Sequence, residues 1–187
     1  MRIKAVTFTI FVGLVFASFM NGSFEPSVGV NIGDKAPEIE SRLLDGSSFN
    51  AKDLKGKMVL VDFWASYDAP SRIANVRKRT ILEQYKNSEF LNSNGFVIVS
   101  ISLDRFKTPL YKSIERDGLE DFLHLCDLKG EDSDLARLYE IDDAFTSFLI
   151  DGHGRIVEKS NDIEKIATTL DRLQSVSKDQ FAAYQPY

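Results

Sequence analysis

The chain has 187 residues, room for one ordinary domain with its own core and not for two large ones. It is 43% hydrophobic and 27% charged, which excludes a disordered or fibrous polypeptide. The formal charge is −5 and no Lys/Arg cluster is interleaved with aromatics, which argues against nucleic acid as a partner.

Arg2 and Lys4 precede an apolar run from Ala5 to Met20, followed by the small and polar Asn21, Gly22 and Ser23. The run is short for a membrane span and suits the core of a signal peptide over residues 1–23, the alternative being an uncleaved N-terminal membrane anchor. No cysteine lies near it, so a lipoprotein anchor is excluded, and cleavage after Ala17 suits the preference for a small residue. Losing residues 1–17 removes Arg2 and Lys4 and no acid, taking the charge from −5 to −7. Either way the folded part is expected to be exported, to the periplasm or cell envelope of a bacterium. Cys126 is the single cysteine, so no internal disulfide can form and the domain must rely on its core.

Residues 24–32 read as a linker and 33–174 as the domain. Ile39–Leu44 and Ser47–Asn50 flank Asp45-Gly46 as a hairpin. Met58–Trp64 is apolar except at Asp62, as a strand buried on both faces should be. The spacing of Ile73, Val76, Ile81, Tyr85 and Phe90 predicts one long helix over 69–91, closed by Asn94-Gly95. A second buried strand follows at Phe96–Leu103, then a helix at 108–116, a short strand at Phe122–Cys126 and a short helix at 133–139. Phe148–Asp151 and Arg155–Glu158 form a hairpin around Gly152-His153-Gly154. Ile163–Leu173 is an amphipathic last helix, and 175–187 a polar tail without periodicity.

Residues 62–72 read Asp-Phe-Trp-Ala-Ser-Tyr-Asp-Ala-Pro-Ser-Arg. This run resembles the active-site segment of thioredoxin-fold proteins of the TlpA/ResA-like, AhpC/TSA-related family, in which two redox cysteines bracket a dipeptide. Phe63, Trp64, Ala65, Ser66, Pro70 and Arg72 match; Asp68 and Ser71 stand at the cysteine positions. Three further stretches support the resemblance over about residues 33–173: Gly33–Pro37, Leu54–Lys57, and Phe148–Asp151 followed by Gly154–Val157. It implies a thioredoxin-like α/β fold. A central mixed sheet is flanked by helices, with an added N-terminal β-hairpin and an inserted strand and helix.

The resemblance also implies a chemistry that these residues cannot perform. Thiol–disulfide exchange needs one thiolate to attack and a second thiol to resolve the mixed disulfide. Asp68 keeps negative charge at the helix start, where it suits an N-cap, and loses the sulfur. The family's cis-proline position falls on Phe145, before Thr146 and Ser147; a cis bond there costs about 3–4 kcal/mol, so a trans bond is expected. The family's proton-handling glutamate position falls on Ala74.

Other groups offer no replacement. Cys126 is expected to be a buried, inert thiol, and His124 an ordinary strand residue. With His153 in a turn, no metal spacing arises; neither a metal nor a cofactor is expected. Trp64, Tyr67, Pro70 and Phe145 are candidates for a retained apolar binding face, with a simple core role the default for Trp64 and exposure expected of Tyr67 and Phe145. The expected function is therefore a redox-inactive, exported domain binding an envelope protein or an extended peptide, or serving as a structural subunit. The alternative is a thiol-dependent oxidoreductase or antioxidant enzyme of the same family, working through Cys126 or through a partner's thiols.

Overall fold

Asp45 sits in the tight turn that the Gly46 amide closes on the Leu43 carbonyl. Its carboxylate accepts from the Ser47 amide at 2.8 Å and hydroxyl at 2.6 Å, and Gly46 takes the left-handed φ of 91°. The turn joins β1 (Glu40–Arg42) to β2 (Ser48–Asn50) as an antiparallel hairpin. The computed structural model describes residues 26–142 and 144–183, with side chains described to residue 174; the expected signal segment 1–23 lies outside them.

A 3-10 turn at Ala51–Leu54, with Asn50 accepting from the Lys52 amide, leads into β3 (Met58–Trp64). All seven residues of β3 are buried. The helix α1 (Ala69–Tyr85) follows, then a small hairpin of β4 (Glu89–Phe90) and β5 (Ser93–Asn94), and β6 (Phe96–Ser102). Next come α2 (Lys107–Asp117), β7 (Leu123–Leu125), a 3-10 turn at Gly130–Asp132 and α3 (Asp134–Leu138). The chain closes with β8 (Ser147–Ile150), β9 (Ile156–Ser160) and α4 (Ile163–Ala183).

The five-stranded sheet has the order β7-β6-β3-β8-β9. β3, β6 and β7 run parallel, while β8 is antiparallel to β3 and to β9. This is the expected thioredoxin-like mixed sheet, with β7 added at one edge. The N-terminal hairpin attaches to that edge, the Leu44 amide donating to the His124 carbonyl at 3.0 Å. Alternation along β3 sorts its side chains into two cores. Met58, Leu60 and Trp64 join Ile81, Leu82 and Tyr85 of α1 and Ile166 and Leu170 of α4. Val59, Val61 and Phe63 face the other way, onto Ile39, Phe49, Ala136 and Tyr139.

Four sequence expectations change. The long helix stops at Tyr85 rather than Leu91. Asn87, Ser88, Asn92 and Ser93 bond the backbone better in turns than in helix, and Phe90 is buried by the β4–β5 hairpin against the Tyr85 ring. Within α1, Ile73 and Val76 are exposed instead of forming the core face. Residues 26–32 are not a free linker: Val30 is buried, and the Gly33 amide donates to the Ile156 carbonyl at 2.8 Å. The last helix runs on to Ala183, through part of the expected tail.

Candidate functional site

Asp68 is the N-cap of α1. Its backbone is extended (φ −91°, ψ 107°), and its carboxylate accepts from the Ser71 amide at 2.8 Å. The two degenerate positions are thus hydrogen-bonded to each other, carboxylate to amide. One of the amides that would stabilise a thiolate is engaged by a side chain that has no nucleophilic sulfur.

The loop before this helix is fixed from β6. Asp104 is buried and accepts from the Ser66 amide at 2.9 Å, the Ser66 hydroxyl at 2.5 Å and the Ser102 hydroxyl at 2.6 Å. After the helix start, Arg72 makes a bidentate pair with Asp117 of α2, which raises the Arg72 pKa. The site is anchored at both ends without any thiol.

The buried face of α1 is polar in its first half. Ser71, Asn75 and Lys78 are buried at helical spacing, and only then do Ile81, Leu82 and Tyr85 continue the face with apolar groups. Asp62 causes this. It lies in the same file of β3 as Leu60 and Trp64, so it points at α1. The Lys78 ammonium meets its two oxygens at 2.6 and 2.7 Å and also donates to the Asn75 carbonyl oxygen at 3.1 Å. The Ser147 hydroxyl of β8 adds a 2.6 Å bond to Asp62. A residue the sequence shows as a break in an apolar strand is the centre of a buried ionic network.

Above this network lies a cleft of about 410 Å³ between the start of α1 and the loop before β8. Tyr67, Pro70 and Phe145 line it, with Leu103, Ile141 and Ile163. Three of the four proposed apolar contacts are therefore brought together. The fourth is not: Trp64 is fully buried in the α1-facing core, its indole N–H donating to the Ser100 hydroxyl at 2.7 Å. Its place in the Leu60 file puts it beneath the helix and out of a partner's reach. Ala74 also lines the cleft, leaving space where the family's glutamate position falls. The Ala144–Phe145 peptide bond is trans, as are all described peptide bonds. The sequence reading missed Asp62, Lys78, Glu131 and Asp142, all of which line this cleft. Only Asp62 carried a signal, being the one charge in β3.

Cys126 is half-buried rather than buried. It follows β7 and its thiol donates to the Asp104 carbonyl at 3.4 Å. Burial, and to a lesser degree the carboxylates of Asp104 and Asp127, hold its pKa above the ordinary thiol value, against opposing bonds from Leu128 and Ser102. It does not line the cleft. Among the described residues no three His, Cys, Asp or Glu side chains gather to hold a metal ion.

The sheet order, the strand–cap–helix segment at Asp68 and the cleft opposite Phe145 define a thioredoxin-like domain. The model of the Redoxin family matches residues 31–175, and this chain belongs to that family. A thiol-disulfide oxidoreductase ResA of Oceanobacillus iheyensis is 30% identical over 170 residues, spanning 89% of this chain and 81% of that protein. Another ResA, of Bacillus cereus, is 26% identical over 161 residues, spanning 83% and 84% respectively. Among solved structures, the C-terminal domain of a thiol-disulfide oxidoreductase from Bacteroides thetaiotaomicron superposes with a TM-score of 0.67 at 27% identity. That match covers 78% of this chain and 97% of the other.

Proposed function

We propose that this chain is an exported, redox-inactive member of the family whose cleft binds an extended segment of an envelope protein or peptide. The observation that carries the reading is the pairing of Asp68 with Ser71 beneath an open cleft: the attacking and resolving positions are occupied by a helix cap, while Tyr67, Pro70 and Phe145 still offer apolar contact. Export is supported by the N-terminal apolar run behind Arg2 and Lys4.

The alternative, thiol chemistry through Cys126, requires a thiolate where burial keeps the proton on sulfur. It also lacks a second thiol in the chain to resolve a mixed disulfide.

Reduction of insulin by dithiothreitol tests the redox half. The rate is expected to equal that without protein, and turnover abolished by Cys126→Ser would overturn the reading. The binding half is tested by nuclear magnetic resonance titration with unstructured peptides. Shifts are expected at Tyr67, Ala74 and Phe145; none with any peptide would refute it.

A further inference from the structure

The cleft does not end at Tyr67. A second cavity, of about 420 Å³, lies on the other side of that side chain and shares Tyr67, Leu103 and Glu131 with the first. Its far wall is Phe106 and Pro109 at the start of α2. Tyr67 and Phe106 are 67% and 72% exposed, an unusual cost for two large aromatic groups beside one another's cavity.

The charges that line this groove without an ion-pair partner among the described residues are acidic. Lys78 is consumed by Asp62 on the floor, and Arg105 pairs with Asp132 at 3.1 Å. Asp104 is held by serine hydroxyls and an amide. Asp68, Glu131 and Asp142 line the groove and form no ion pair among the described residues. Their effect reaches the centre: burial first, then Asp104, Glu131 and Asp68, raise the Tyr67 phenol pKa, with only Arg105 opposing. An acidic partner would face like charges and an aliphatic one would leave the carboxylates unanswered.

Resting on the peptide-binding reading above, we infer that the two cavities form one groove for an extended cationic segment of a partner polypeptide, with one apolar side chain against Phe145 and Pro70, another against Phe106 and Pro109, and Lys or Arg residues between them facing Asp68, Glu131 and Asp142. The two apolar seats set the spacing of the segment, and the carboxylates set its charge. The second seat lies outside the segment that resembles a redox site.

The test is fluorescence anisotropy of the whole chain with labelled peptides of about twelve residues, long enough at about 3.3 Å per residue to span both halves. One apolar pattern is made in strongly basic, neutral and strongly acidic versions. The basic peptide is expected to bind roughly tenfold tighter than the neutral one at low ionic strength, with the difference shrinking as salt is added. The double variant Glu131→Gln, Asp142→Asn, both exposed positions, should weaken the basic peptide about tenfold and leave the neutral one unchanged. Phe106→Ala should weaken a peptide with two apolar residues several-fold, and one carrying only the Phe145-side residue not at all. Equal binding of basic and neutral peptides would overturn the charge assignment while leaving peptide binding intact. Indifference to Phe106→Ala would remove the second seat. Binding of no peptide would overturn both this inference and the reading on which it rests.

Discussion

The Lys78 ammonium on α1 sits 2.6 and 2.7 Å from the two carboxylate oxygens of Asp62 on β3, with both side chains almost wholly withdrawn from water. Such a pair contributes little net stability against an apolar replacement, yet leaving either partner alone is expensive. It also aligns the first half of α1 over β3, since Ser147 and Asn75 bond to the same two groups.

Lys78→Met is therefore expected to destabilise the domain by about 3–5 kcal/mol, because it leaves a buried carboxylate without its cation. Adding Asp62→Asn, which keeps an acceptor for the Ser147 hydroxyl, should recover most of that loss. Urea unfolding of the two single variants and the double one measures the coupling. Additive losses would show that the two charges do not depend on each other.

Asp68→Ala should cost about 0.5–2 kcal/mol through loss of the cap on the Ser71 amide, and Asp68→Asn clearly less. Helix-capping loss is read from the thermal midpoint. An unchanged midpoint together with lost peptide binding would make the Asp68 carboxylate a recognition group instead of a structural one.

His124 gives the fold a pH dependence with a defined sign. Its Nε2–H donates to the Leu119 carbonyl at 2.8 Å, and its buried Nδ1 has no partner among the described residues. Burial lowers its pKa below the ordinary imidazole value, so the folded state favours the neutral ring and the unfolded chain takes up the proton first. The neutral ring's contribution is complete above the unfolded value and is lost as pH falls toward the folded one. The denaturation midpoint of the wild type should fall more between about pH 7.5 and about pH 5 than that of His124→Gln, in which no ring titrates. Parallel curves for the two proteins would show that His124 is not the group responsible.

Much of the architecture is legible in the sequence. The apolar runs of β3 and β6, the Asp45-Gly46 turn and the Phe148–Asp151 segment each carry a local signal of period, turn chemistry or burial. The cap is equally local, since Asp68 and Ser71 are three residues apart. For the same reason the replacement of cysteine by Asp68 and Ser71 is readable from two positions alone.

The tertiary structure decided which face of α1 is buried, where that helix ends, and what the cleft holds. Periodicity points to Ile73 and Val76, yet both are exposed, because Asp62 on the preceding strand demands a polar face and draws Ser71, Asn75 and Lys78 inward. No sequence window contains both ends of a 16-residue ion pair together with a hydroxyl 85 residues away on β8. The groove is likewise non-local: Tyr67, Phe106, Glu131 and Phe145 come from four separate segments that only the sheet order brings together. Local chemistry determined the cap between Asp68 and Ser71, and the packing of separate segments determined the shape of the cleft beside it.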